Sequence, residues 1–195
     1  GARYVNANMG YDLLRDFQPI SLLVTNPFTL LVNPALPVRS VREFVDLARS
    51  RPGKLNFATL GAGQIPYWGA LYLNTTAGID ALEVQYRNPA DMITDIIAGR
   101  VDYAVMGVFN AVTYKDKLRV LGVTSRTRSE MLPDVPAIAE TFPTYEMPAW
   151  VSLMGPAGMR AEVVQVINKA AVRSLASPDL MERLAKAGYT AASST

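Results

Sequence analysis

The 195-residue chain is 50% apolar and 18% charged, and its 19 Lys and Arg against 17 Asp and Glu leave a net charge of only +2. The cations are scattered, which argues against a phosphate-neutralising nucleic-acid face, and no apolar run approaches the roughly 20 residues of a membrane helix. Neither Cys nor His occurs, which excludes thiolate nucleophiles, Ser-His triads, imidazole proton shuttles and metal sites built from Cys or His.

A chain of this length buries roughly 70% of its unfolded surface and fits one domain or one and a fraction. No leader is legible at Gly1, which reads as a leader removed or as a start partway into a longer protein.

Residues 21–32 resemble a long strand broken at Asn26-Pro27. From about Val38 onward helical and extended patterns alternate, predicting an α/β fold with parallel strands joined by crossover helices. Ser40 and Glu43 form a capping box for a helix with the apolar stripe Val41, Phe44, Val45 and Ala48, ending near Arg51. Leu55 to Leu60 reads as a strand that runs into Gly61-Ala62-Gly63, followed by a helix from Pro66 to Ala77 with Gly78 as its stop. Leu82 to Tyr86 is the next strand. Asn88 then caps a helix that has Pro89 at its first position and Asp91 in its first turn, and that closes at Gly99.

Val101 to Met106 and Leu118 to Val123 read as buried strands flanking a short helix or turn. A Pro- and aromatic-rich loop, 142–150, leads to a strand near Val151 to Leu153. Two helices finish the chain, one from Ala161 to Ala176 and one opened by Ser177-Pro178 and closed by Gly188.

The loop Gly61-Ala62-Gly63-Gln64 is the leading candidate site. A Gly-rich turn feeding a helix N-terminus aims main-chain N–H groups at an anion, and the helix dipole favours its charge. The alternative is a tight turn that two glycines merely permit. It is too short for a dinucleotide fingerprint and lacks the Gly-Lys-Ser/Thr of a P-loop, so no cofactor is expected.

Tyr67 is placed to reach the loop with its hydroxyl, whereas Trp68 and Tyr72, at i and i+4, are expected to pack in the core. Tyr86-Arg87-Asn88 ends a strand and emerges on the same carboxyl edge as the Gly61 loop. There Arg87 is suited to pair with a carboxylate, and Asn88 is a cap first and a ligand contact second. Asp91 and Asp95 make a poor acid pair. Arg126, Arg128 and Ser129 could hold a phosphate, although the Pro-rich turn beside them reads as a shaped surface segment.

The stretch Val123 to Glu140, VTSRTRSEMLPDVPAIAE, resembles the V-T-S-x-x-R-S-x-x-L-P-D-V-P-x-x-x-E segment of the periplasmic solute receptors of tripartite tricarboxylate transporters, the Bug family. Further segments agree in order and spacing: Tyr11-Asp12 with Asp16-Phe17-Gln18-Pro19, Val32-Asn33-Pro34, Leu36-Pro37, Pro52-Gly53-Lys54-Leu55, Gly61 to Tyr67, Val84 to Arg87, Ala98 to Asp102, Leu118-Arg119 and Trp150 to Gly158. The resemblance spans nearly the whole chain.

It implies a type II periplasmic-binding-protein-like fold, with a parallel or mixed sheet flanked by helices. Two-domain clamshells of this kind hold a small carboxylate between domains and pass it to a membrane permease. Residues 1–29 would then be a remnant of domain 1 with a hinge strand, 30–148 the ligand-binding domain, and 149–195 the return strand and helices of a domain 1 that is incomplete here. Hinge strands are expected near 21–32 and 149–153. The resemblance also implies a periplasmic location, no enzymatic activity and no nucleic-acid partner, and an incomplete clamshell exposes apolar surface that favours self-association.

Three departures bear on the ligand. The family's G-x-G-S-x-x-H is Gly61-Ala62-Gly63-Gln64-Ile65-Pro66-Tyr67 here, its Y-K-G is Tyr86-Arg87-Asn88, and Met106 stands where relatives carry a polar group, which implies a less polar pocket and a bulkier or different ligand. Ligand contacts are therefore expected from Gly61, Ala62, Gly63, Gln64, Tyr67, Tyr86, Arg87 and Asn88. The alternatives are an effector-sensing domain of a regulator with the same clamshell fold, or an enzyme that uses the Gly61 loop.

Overall fold

The computed structural model describes residues 10–147 and 149–194. The first nine residues of the expected 1–29 segment, Pro148 of the 142–150 loop, and Thr195 lie outside the described residues. The chain divides into two compact units, Pro27–Pro148 and the discontinuous pair Gly1–Asn26 with Ala149–Thr195.

The continuous unit is a five-stranded sheet with helices on it. In chain order it contains β2 (Phe28–Val32), α2 (Val41–Ser50), β3 (Leu55–Thr59), α3 (Ile65–Ala77), β4 (Ala81–Gln85), α4 (Pro89–Ile97), β5 (Tyr103–Gly107), α5 (Val108–Thr113) and β6 (Arg119–Val123). The strand order is β4-β3-β5-β2-β6. Strand β3 runs parallel to β4 and β5, as the alternating pattern predicts. Strand β2 runs antiparallel to both β5 and β6, so the sheet is mixed rather than all parallel.

All five residues of β2 are buried, as expected of a continuous apolar run in a strand covered on both faces. Its one polar side chain, Thr29, donates its hydroxyl to the Met106 carbonyl at 3.0 Å. One buried cluster joins Leu31, Ala58, Met92, Ile93, Ile96, Ala104 and Met106. Phe44, Tyr103 and Phe57 form an aromatic row with centroid separations of 4.9 and 5.7 Å. Burying each large side chain here contributes roughly 1.5–3 kcal/mol. Met106 is only 3% exposed. It packs in the core cluster and not on an exposed wall, a correction to the expectation above.

The capping signals act as predicted. Ser40 accepts the Glu43 N–H at 3.2 Å, and Val41, Phe44, Val45 and Ala48 are the buried residues of α2. The Glu43 carboxylate accepts from the Arg39 N–H at 2.7 Å instead of from Ser40, a box displaced by one residue. Gly78 ends α3 in the left-handed conformation, with φ +60°.

Trp68 and Tyr72 do not pack in the core together. The face of α3 that meets the sheet is made of Gly69, Ala70, Leu73, Asn74 and Ala77. A Cβ on Gly69 would stand 2.8 Å from Val105 Cγ1, so the helix lies too close to the sheet to admit an indole. Tyr72, 38% exposed, stacks on Tyr145 and donates its hydroxyl to the Thr144 carbonyl, and Trp68 is half-buried against Tyr67.

The discontinuous unit is a three-stranded sheet with helices. It comprises α1 (Leu13–Asp16), β1 (Phe17–Asn26), β7 (Ala149–Pro156), α6 (Ala161–Leu175), α7 (Pro178–Lys186) and β8 (Thr190–Ala191). Strand β1 lies between β7 and β8, antiparallel to both, and pairs with β7 from Phe17–Pro156 to Asn26–Ala149. The long expected strand over 21–32 is thus two strands in two different sheets, divided at Pro27, which has no N–H for a ladder. The short α1 carries little apolar pattern and is fixed by Asp12, whose Oδ1 accepts from the Leu14 and Arg15 N–H groups.

Candidate functional site

Strands β3, β4, β5 and β6 all point the same way, so their carboxyl ends share one edge of the sheet. Ligands of open α/β sheets bind at such edges. Strand β3 runs through Leu60 into the turn Gly61–Gln64 and on into α3, while β4 runs into Tyr86-Arg87-Asn88 and α4. The Tyr86 N–H donates to the Thr59 carbonyl at 2.8 Å, which ties the two strand ends together. The structure therefore brings both candidate loops to one place.

Gly61 sits at φ +89°, a conformation that L side chains rarely adopt. Its N–H donates to Thr59 Oγ1 at 3.1 Å, and its carbonyl accepts the Gln64 N–H at 3.1 Å to close the turn. The Gly61 and Gln64 amides are thus occupied. Ala62 is half-buried, whereas Gly63 and Gln64 are exposed.

The N–H groups of Ala62, Gly63, Ile65 and Tyr67 have no hydrogen-bond acceptor among the described residues. Gln64 occupies the N-cap position of α3 without a side-chain capping bond, and Pro66 brings no N–H. By contrast, Ser40 caps α2 and Asn88 caps α4 with their side chains. A glycine turn with unpaired N–H groups at an uncapped helix start suits a carboxylate.

The other predicted residues divide. Tyr67 is half-buried, edge-on to Trp68 with centroids 5.1 Å apart, and its hydroxyl has no partner among the described residues. Arg87 is exposed and forms no ion pair among the described residues. Asn88 is occupied as a cap: it accepts the Asp91 N–H at 2.9 Å and donates Nδ2 to the Asp91 carboxylate at 2.7 Å. The Tyr86 hydroxyl donates to Asp95 at 2.8 Å, and burial followed by that bond pushes its pKa up to about 12. Its phenol serves the sheet-to-helix contact.

Asp95 also accepts from Arg100 at 2.6 Å, and the Arg100 and Tyr86 bonds lower its pKa. Asp91 and Asp95 therefore act in separate structural contacts. The phosphate reading of Arg126, Arg128 and Ser129 is corrected as well. Arg128 is held by Glu140, Arg126 lies 3.8 Å from Glu146, and Ser129 Oγ accepts the Met131 N–H.

Sequence reasoning missed Thr59 and Gln85, which lie against Gly61, and Glu83, which holds Thr59. Thr59 Oγ1 donates to Glu83 at 2.6 Å, and a Cβ on Gly61 would stand 2.6 Å from Gln85 Nε2. A polar residue ending a buried strand was the only signal. Among the described residues no cluster of three acids could hold a metal, and no helix is long and apolar enough to cross a membrane.

The profile of the tripartite tricarboxylate transporter family receptors matches residues 2–194. A protein in the tcbD-tcbE intergenic region of Pseudomonas sp. strain P51 is 33% identical over 97% of this chain and 58% of its own length. Two Rhodopseudomonas palustris structures are similar. Rpa4515 with adipate has TM-score 0.79 and 29% identity over 94% of this chain and 62% of that one. MatC with bound malate has TM-score 0.77 and 28% identity over 94% and 63%. The chain thus spans about three-fifths of these relatives. With the mixed sheet, the Gly61 turn and the Val123–Glu140 segment in place, the chain belongs to the tripartite tricarboxylate transporter receptor family, as the sequence resemblance implied.

Proposed function

We propose that this chain is the ligand-binding part of a periplasmic, non-catalytic solute receptor that takes a small carboxylate and delivers it to a membrane permease. The observation that carries the reading is the Gly61 turn, whose Ala62 and Gly63 N–H groups lie without a partner among the described residues, before an uncapped helix. One carboxylate of the ligand accepts from these two groups and from Ile65. Tyr67 adds a hydroxyl and Arg87 a guanidinium suited to a second anionic group.

The Gln64 N–H, already used within the turn, drops out of the donor set. Gln64 keeps only its exposed side-chain amide as a contact. Two similar proteins were solved with dicarboxylic acids, adipate and malate, which supports a carboxylate for this chain. The family match favours a receptor over the effector-sensing domain of a regulator.

The test is a thermal-shift panel of dicarboxylates, tricarboxylates and aromatic acids, run on a receptor of the relatives' full length that contains this chain. Stabilisation by an acid, reduced for dicarboxylates in Arg87→Ala, is the expected result. No response to any acid overturns the reading.

A further inference from the structure

The Gly61 turn is held from outside itself. Thr59, fully buried at the end of β3, accepts the Gly61 N–H at 3.1 Å and donates its own hydroxyl proton to Glu83 Oε1 at 2.6 Å. Glu83 lies on the edge strand β4, exposed to solvent. Two residues further along β4, Gln85 is in register with Thr59, and its amide fills the space that a Cβ on Gly61 would take. Two side chains of one edge strand thus bear on a single residue, Gly61. One acts through a hydroxyl and the other by occupying volume.

We propose that Glu83, through Thr59, and Gln85 by direct packing are positioning residues that set the aim of the carboxylate cradle. The inference rests on the reading of the Gly61 turn as that cradle. A threonine hydroxyl has one proton, so giving it to the Glu83 carboxylate leaves its lone pairs for the Gly61 N–H and fixes their direction. Gly61 at φ +89° has no side chain to hold it, so its conformation rests on two bonds, its N–H to Thr59 and its carbonyl to the Gln64 N–H, and the first of these is set from β4. With Gly61 fixed, the next two N–H groups, Ala62 and Gly63, are presented ready-oriented, so that binding does not have to order them. An edge strand with no residue in the proposed donor set therefore sets affinity.

The experiment, on the same full-length receptor, pairs two readouts on the wild type, Thr59→Val, Thr59→Ser and Glu83→Ala. Affinity for adipate and malate is measured by calorimetry, and hydrogen exchange of the Gly61 amide is followed by NMR without ligand. Thr59→Val and Glu83→Ala are expected to weaken binding about tenfold and to speed Gly61 exchange, while Thr59→Ser, which keeps the hydroxyl, stays near the wild type. Wild-type affinity in both Thr59→Val and Glu83→Ala overturns the proposal. If the wild type binds neither acid, the carboxylate reading fails on its own. The relay is then decided by exchange alone, with acceleration supporting it and unchanged Gly61 exchange overturning it. Glu83→Ala alters an exposed position, so it separates the relay from a failure to fold at buried Thr59.

Discussion

Arg128 and Glu140, twelve positions apart, grip one another through two parallel hydrogen bonds, Nε to Oε1 and Nη2 to Oε2, each 2.9 Å long. The same Glu140 Oε1 accepts the Ala137 N–H at 2.9 Å, and Arg128 also donates to the Pro133 carbonyl. One ion pair therefore closes the whole Pro-rich turn. Inside it, the Val123 N–H reaches the Pro136 carbonyl, and Thr124 exchanges two bonds with Phe28 on β2. The arginine, the prolines and the final glutamate of this segment are the parts of one clasp.

The bonds from Arg128 and then from Ala137 hold the Glu140 pKa near 2, against an ordinary 4.5. A carboxylate lowered in the folded state contributes stability that is present above pH 4.5 and is lost as pH falls toward 2. Acidification through that window should loosen residues 124–140 before the sheet melts. Glu140→Gln should produce the same loosening at neutral pH, read as faster amide exchange in this segment.

Gly61 and Gly63 should respond oppositely to alanine. At Gly61 the left-handed φ and the Gln85 amide both oppose a Cβ, so Gly61→Ala should cost about 1–3 kcal/mol and abolish carboxylate binding. A Cβ on Gly63 meets nothing within 4 Å, so Gly63→Ala should change the melting temperature little and keep its N–H. Calorimetric melting with and without adipate distinguishes the two.

Arg87 and Asn88 are neighbours with separate duties. Asn88→Ala removes the α4 cap and should cost about 1 kcal/mol of stability, with ligand affinity changed only through folding. Arg87→Ala should leave denaturant unfolding unchanged and weaken dicarboxylates more than monocarboxylates. The ratio of affinities for adipate and a monocarboxylic acid of equal length is the measurement.

Tyr103 donates to Asn74 Oδ1 at 2.7 Å inside the core. Tyr103→Phe leaves that buried amide oxygen without its donor and should destabilise the chain by about 1–3 kcal/mol. Urea unfolding should show a lower midpoint at unchanged slope.

Much of this architecture was legible because its signals are local. The Ser40 and Asn88 caps, the left-handed Gly78 and the apolar stripe of α2 each follow from a few neighbouring residues. What was not legible depends on distance in sequence. The reversal of β2 arises from partners more than seventy residues away, and the occupied Gln64 N–H follows from a turn geometry that Gly-x-Gly does not specify. Trp68 and Tyr72 carried the right spacing for a core pair, but the small residues beside them decided how closely the helix sits.

At the candidate site, the convergence of the two loops was readable from chain order and strand direction. The idle Arg87, the committed Tyr86 phenol and the Thr59 relay were not, because each depends on side-chain partners that β-strand periodicity leaves open.

The division of the chain at Asn26 and Ala149 has a kinetic consequence. The unit from Pro27 to Pro148 is continuous, so its strands meet within a modest span of backbone, whereas β1 finds β7 only after that entire unit has been closed into a loop. Loop-closure entropy makes such distant pairings late. The five-stranded sheet should therefore assemble first, during synthesis, and carry its Gly61 turn ready-made while the strand that precedes it still waits for its mate.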